Sequence, residues 1–259
     1  MINLIILLFL ISHHIEEGSP EHIAKNSIGV VSIFAQRDIL SDIGKKYSLF
    51  VGPFAEFSFF KNIFSIQGVV PFGLLGSNFY FSDIIATLKS TPPIFEDNAL
   101  TLILSSTLPT GQDLAGSGHL SLMPAIAGEF HIHTKIHIHI HSLLGAHLSI
   151  GSFSSDETHS NHNNSTSSHH KINYLFPHSE KEIIGHIGFM VMLKKLGVDV
   201  RPSFFFEDLK MFVLQPQAGL TGNIPISQKF DFLFNLYGFW ALSGIRKGKG
   251  IGFIGYLKF

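Results

Sequence analysis

Six histidines fall between residues 131 and 147 of this chain: His131, His133, His137, His139, His141 and His147. Most are two residues apart, and a strand has a side-chain period of two, so H-x-H places them on one face. Imidazole ligates Zn, Cu, Ni and Fe, and several imidazoles beside a carboxylate could hold such an ion. A loop of three residues, Thr134 to Ile136, would pair His133 with His137, His131 with His139 and Glu129 with His141. Directly opposed Cβ atoms lie about 4.5–5.5 Å apart, so the hairpin would carry a ladder of imidazoles ending on a carboxylate. Two readings of His131, His133, His137 and His139 stand side by side. One is a metal site. The other is the polar lining of a wet interior, a task that suits a side chain with no permanent charge. The spacing has less specificity than H-E-x-x-H on a helix.

The residues between these histidines indicate what positions them. From Ile136 the even positions run Ile136, Ile138, Ile140, Ser142, Leu144, Ala146, Leu148 and Ile150. Such a strand has one oily face and one imidazole face. The chain as a whole is 45% apolar but only 14% charged, with 26 Phe, against about 25% charged in ordinary soluble domains. No internal run reaches the roughly 18–20 apolar residues of a membrane helix. Hydrophobicity delivered in short alternating segments is what a lipid-facing β-barrel requires.

Twelve segments have strand character. They are Ser27–Gln36, Tyr47–Phe60, Ile63–Leu74, Phe81–Pro92, Asn98–Leu108 and His119–His133, then Ile136–Gly151, Lys181–Lys194, Val198–Phe206, Met211–Gly222, Gln228–Ala241 and Gly250–Phe259. Alternation is clear in most. Tyr47, Leu49, Val51, Phe57 and Phe59 share one parity, with Ser48, Gly52, Glu56 and Ser58 on the other. Phe230, Phe232, Phe234, Leu236 and Trp240 oppose Asp231, Asn235 and Tyr237. Ser27–Gln36 has mixed faces. Even-numbered joins are tight ("KN", "FEDN", "TK", "KLG", "NIPIS"), whereas the odd ones are longer, except for "EDLK". Short periplasmic turns, longer external loops and an even strand number are the pattern of outer-membrane barrels. A β-sandwich has no reason to alternate its loop lengths. The expected fold is therefore all-β: a single antiparallel transmembrane β-barrel of about 12 strands over residues 27–259, in the bacterial outer membrane.

In that barrel the polar parity faces the lumen. The expected lining includes Glu56, Asp83, Lys89, Glu129 and His141, with His147, His186, Asp199, Arg201, Glu207 and Asp231 further along. These charges could shape a selective pore or lock a filled lumen with ion pairs, since small barrels fill and sixteen-stranded porins stay open. The longest external loop, about 152–180, is rich in Ser and Asn and carries His159, His162, His169, His170 and His178. It reads as a disordered, solvated segment, or one with weak metal capture. No nucleophilic motif surrounds the Ser–His pairs: His141 and Ser142 point to opposite faces, and His147 and Ser149 share one without a surrounding signature. The expectation is a protein without catalytic activity. There is no cysteine, so disulfides and thiolate chemistry are excluded. The net charge of −1 gives no footprint for nucleic acid.

The ends carry their own signals. Ile2 to Ile11 has the length of a signal-peptide apolar core, giving an expected leader over 1–18 and a short lead over 19–26. The close, "GIGFIGYLKF", places Ile251, Phe253, Leu257 and the terminal Phe259 on one parity. It resembles the C-terminal aromatic signal of outer-membrane barrels, which implies the barrel-assembly machinery as a partner besides membrane lipid.

The stretch from Ser82 to Phe130 resembles a family of outer-membrane barrels named for the MetA-type meta-pathway of phenol degradation. The likeness rests on Asp83 opening "SDIIATLK", on the Leu108–Gly111 sequence "LPTG" closing the next strand, and on the Gly116–Gly118 turn "GSG". The resemblance implies a barrel with a transporter-like role and no catalytic residues. Its cargo would be a small solute, either transition-metal ions through a His-lined lumen or small hydrophobic or aromatic compounds. The alternative is a structural or surface-interaction barrel with a filled lumen.

Overall fold

The computed structural model describes residues 25–93, 98–133, 137–152 and 172–259. The expected leader, most of the lead, most of the "FEDN" turn, the turn at 134–136 and His159, His162, His169 and His170 lie outside the described residues, as does the side chain of His133. The elements in order are β1 (Ser27–Arg37), β2 (Ser48–Phe59), β3 (Phe64–Val69), β4 (Phe72–Leu75), β5 (Asn78–Phe81), β6 (Ile84–Ser90) and β7 (Ala99–Leu108). They continue with β8 (His119–His133), β9 (His137–Ser152), β10 (Lys181–Leu193), β11 (Leu196–Glu207), β12 (Met211–Pro225), β13 (Asp231–Ala241) and β14 (Gly248–Lys258).

Strand neighbours run β1-β14-β13-β12-β11-β10-β9-β8-β7-β6-β3-β2, and β1 also pairs with β2. The sheet closes on itself as a twelve-stranded antiparallel barrel, so no edge is left to pair with another chain. Each strand expected from alternation supplies one barrel strand. Ile63–Leu74 lapses only at Val70–Pro71: β3 and β4 face the second and first halves of β2 in one register, Val69 opposite Phe54 and Phe72 opposite Val51. β5 pairs with β4 and leads into β6, which pairs with β3, so β4–β5 is the far end of the same hairpin. Pro71 has no N–H to donate, so the ladder is interrupted at this point.

The outside of the cylinder is oily. Ile66, Leu88, Leu104, Phe130, Ile187, Phe189, Val200, Leu220, Leu236 and Trp240 all point outward and are exposed. An exposed apolar belt of this extent suits hydrocarbon, not water. The interior departs from the expectation of a polar surface, because it is divided. Along β1, β2, β13 and β14 it is mostly apolar, built from Val31, Ile33, Phe50, Phe54, Tyr237 and Tyr256 around a few buried polar groups such as Glu56 and Asn235. Along β7 to β12 it carries Ser105, Ser121, Glu129, His141, Gln215 and Gln217, all buried. The mixed faces of β1 now have a physical cause. Val31 and Ile33 meet an oily interior while Ile28 and Phe34 meet the outside, so both faces are apolar for different reasons.

Close approach inside the barrel also fixes small residues. A Cβ on Gly188 would lie 2.0 Å from Cε1 of the His141 ring. Gly188→Ala should therefore push His141 aside and cost about 1–3 kcal/mol, the usual range for overpacking. A lowered urea midpoint of the detergent-solubilised barrel is the expected result, and an unchanged midpoint would contradict the packing.

Candidate functional site

The expected hairpin register is present: His133 faces His137, His131 faces His139, and Glu129 faces His141. The His131 and His139 rings sit 4.3 Å apart at 53°. They line a cavity of about 380 Å³ at the short-turn end, together with Glu129, His137, Met190 and Lys194. Deeper in the wall, His141 Nε2 lies 3.0 Å from Asp199 Oδ1, and Arg201 Nη2 donates to Asp199 Oδ2 at 2.6 Å. Asn235 Nδ2 donates to the same oxygen at 3.1 Å, and His186 Nε2 is 3.4 Å from His141 Nδ1. One carboxylate thus gathers an imidazole, a guanidinium and an amide from β9, β11 and β13. Opposite, Lys89 Nζ and Ser65 Oγ both donate to Glu56, at 3.2 and 2.6 Å. Asp231, at the start of β13, is half-buried at the short-turn rim.

Asp83 has a different role from the expected lumen lining. It lies just before β6, and its carboxylate accepts from Gly111 N at 2.8 Å, Ser117 N at 2.6 Å and Ser117 Oγ at 2.7 Å. The "SD", "LPTG" and "GSG" pieces of the family resemblance therefore make one brace, in which a carboxylate fastens the β7–β8 loop. Asp83→Ala should remove three charge-assisted bonds and speed hydrogen exchange of the Gly111 and Ser117 amides. Exchange as slow as in the parent chain would show that the brace is idle.

The end of the long β9–β10 loop is also unlike the solvated segment expected for it. Asn173, Leu175, Phe176, His178 and Ser179 are all buried in the mouth of the barrel. The sequence supplies the turn: Asn173 Oδ1 accepts from Leu175 N and Phe176 N at 3.1 and 3.0 Å, an Asx-turn arrangement. Asn173 Nδ2 donates to Ser82 Oγ at 3.1 Å, and Tyr174 N donates to the Leu114 carbonyl at 2.8 Å. Leu175 and Phe176 join the apolar half of the interior, with Phe176 5.3 Å from Phe50 between ring centroids. Beside this plug, Arg246 donates to both oxygens of Glu182 at 2.8 and 2.9 Å and to Glu207 at 2.8 Å.

Among the described residues, the group of three or more His, Asp or Glu side chains whose ligand atoms converge is His119, His147 and His178, all buried. His147 was expected as lining and His178 as a surface residue, and nothing singled out His119. Burial first, and then the neighbouring His147, hold the His178 imidazole well below the usual histidine range, so its ring is neutral at pH 7. No signal in the sequence joins three residues so far apart in the chain. Only the inward-folding loop brings them together. His147 donates Nδ1–H to the Ser179 carbonyl at 2.7 Å, not to a serine hydroxyl.

An outer membrane channel from Pseudomonas putida F1 superimposes on this chain with a TM-score of 0.58 at 12% identity, covering 96% of this chain and 100% of that one. What the two chains share is the fold, a closed antiparallel barrel. Looser likenesses are a bacterial polysaccharide outer membrane secretin (TM-score 0.48, 7% identity, 92% of this chain and 100% of that one) and an outer membrane phospholipase of Salmonella typhi (0.40, 7%, 96% and 94%). No protein-family model and no curated protein matches the chain.

Proposed function

We propose that this protein is an outer-membrane channel for a small solute, held closed at its outer mouth by its own long loop. The observation that carries the reading is the union of an oily exterior with a divided interior: a polar wall runs down one side to a cavity lined by Glu129, His131, His137 and His139. The fold shared with a known channel and the resemblance to the meta-pathway barrels support it. The termini and short turns then face the periplasm, and the plug faces out. Phe259 ends the last strand as a signal to the assembly machinery. Imidazole and thioether groups at the cavity favour soft cations, and the apolar wall favours small hydrophobic compounds. Both cargo classes follow from the same divided lumen, and no catalytic step belongs to this reading.

A second reading has an observation in its favour. Leu175 and Phe176 pack against the interior as a core would, as in a barrel whose lumen is permanently filled. Ion current across planar bilayers separates the two. Openings by the full chain, or steady current once the loop is shortened, are expected of a channel. Silence from both forms of a correctly folded barrel would leave only the filled one.

A further inference from the structure

We propose that His119, His147 and His178 bind one divalent transition-metal ion, and that the ion fastens the docked end of the long loop to the barrel wall. His119 opens β8, His147 lies near the outer end of the neighbouring β9, and His178 belongs to the loop that enters the mouth. One ring nitrogen from each lies within 4.8 Å of the others. Ring centroids are 4.5 Å apart for His147–His178, 5.7 Å for His119–His178 and 6.1 Å for His119–His147.

The tautomers point the same way. His119 Nδ1 is 3.0 Å from the Ser117 carbonyl, His147 Nδ1 is 2.7 Å from that of Ser179, and His178 Nδ1 is 3.0 Å from that of Phe176. A carbonyl only accepts, so each Nδ1 carries the proton, and the lone pair that a metal would take from the neutral ring is the one on Nε2. A ligating histidine normally has its other nitrogen engaged in this way, which fixes ring orientation and raises basicity. Three such rings in one buried pocket are a set of neutral donors suited to Zn, Cu, Ni or Fe.

Geometry and charge both permit loading. A tetrahedral ion with bonds of about 2.0–2.1 Å draws its nitrogens to about 3.3 Å apart, so from within 4.8 Å the rings need to close by at most about 1.5 Å. Glu182 is the cross-strand partner of His147, and Ser179 Oγ donates to it at 3.3 Å. Both Glu182 and Glu207 hold the guanidinium of Arg246, so carboxylates stand close to the pocket. The loop supplies one ligand and the wall two, so the bound ion opposes loop departure. The ion would hold the same loop that closes the mouth, but Leu175 and Phe176 dock that loop without it, so failure of the site would leave the channel reading untouched.

The test uses the full chain, folded in detergent, stripped with chelator and titrated with Zn²⁺ and Co²⁺. One tightly held ion per chain is expected beyond any weaker uptake at the His131–His139 cavity, with the visible spectrum of Co²⁺ in low-coordinate nitrogen ligation. His178→Ala alters the loop and leaves the wall intact. It should weaken binding at least about 100-fold, since even outer partners of a ligand cost 10–100-fold. A chain with His131→Asn, His137→Asn and His139→Asn should bind this ion as the parent does. The chain has no cysteine, so Leu175→Cys gives a single reporter in the plug. Zn²⁺ should slow its reaction with a maleimide, and the slowing should vanish in the His178→Ala background. Heat-modifiable migration on gels certifies that each variant is folded. No stoichiometric ion, or equal affinity in His178→Ala, overturns the site. A labelling rate indifferent to Zn²⁺ overturns the fastening.

Discussion

Arg246→Met should destabilise the barrel by about 3–5 kcal/mol, the cost of breaking a buried ion pair from one side. The guanidinium is buried and holds both oxygens of Glu182 and one of Glu207. It also lies 4.2 Å over the Phe205 ring. Methionine restores some of the volume and none of the charge, so two carboxylates are left in a pocket that offers them little water. The desolvation penalty dominates the loss, which gives the prediction an internal control. Adding Glu182→Gln and Glu207→Gln to Arg246→Met should recover most of the stability, because an apolar or neutral replacement of the whole cluster is close to neutral. The exposed pair Lys247–Asp38, at 2.8 Å, should behave differently. Lys247→Met there should leave stability nearly unchanged, because solvent screens an exposed pair. Urea unfolding in detergent, followed by far-ultraviolet circular dichroism, reads all of these. An Arg246→Met chain within about 1 kcal/mol of the parent would mean that water reaches the carboxylates and that the outer mouth is not dry.

The contrast between what was legible in the chain and what was not follows from the same physics. Alternation names strands because lipid demands an unbroken apolar face. Ile136, Ile138 and Ile140 against His137, His139 and His141 could hardly sit otherwise, and the His131–His139 pairing follows from the length of the turn. The interior imposes a weaker demand. Phe50 and Phe54 share a parity with Ser48, Gly52 and Glu56, so the apolar half of the lumen was hidden among small and polar neighbours. The interruption at Val70–Pro71 left no mark on the pattern, because Phe72 and Leu74 keep the parity of Ile66 and β4 keeps the register of β3 against β2. Asp83, Gly111 and Ser117 were visible as a resemblance, but their joint role as a brace depends on backbone N–H groups, which have no letter in a sequence. The His119, His147 and His178 group depends on a loop folding inward, against the expectation that a Ser- and Asn-rich segment stays in solvent. Asn173, Leu175, Phe176 and Pro177 were the available sign: a turn residue followed by apolar ones at the end of a polar loop.

That inward fold leads to the other large effect. Replacing residues 153–179 by a short Gly-Ser linker should convert a barrel with rare openings into one with a steady ion current. Burying Leu175 and Phe176 contributes roughly 1.5–3 kcal/mol each to keeping the mouth shut, and the polar contacts to Ser82, Leu114 and Asp208 fix where they sit. With the segment gone, the polar wall from Ser121 and Gln215 towards Glu129 and the short-turn cavity has water at its outer end. His141, now against Asp199, and Gln217, now donating to Ser203, can then turn to that water. The milder change Leu175→Ser with Phe176→Ser keeps the loop but removes its grip on Phe50, and should give intermittent current between the two extremes. The order parent, double-serine chain, shortened chain is the decisive feature, because leakage from misfolding would not follow it. A shortened barrel that is heat-modifiable, inserts into the bilayer and passes no current would show that the constriction lies in the wall: the packing of Phe54, Tyr237 and Tyr256 would close the lumen unaided.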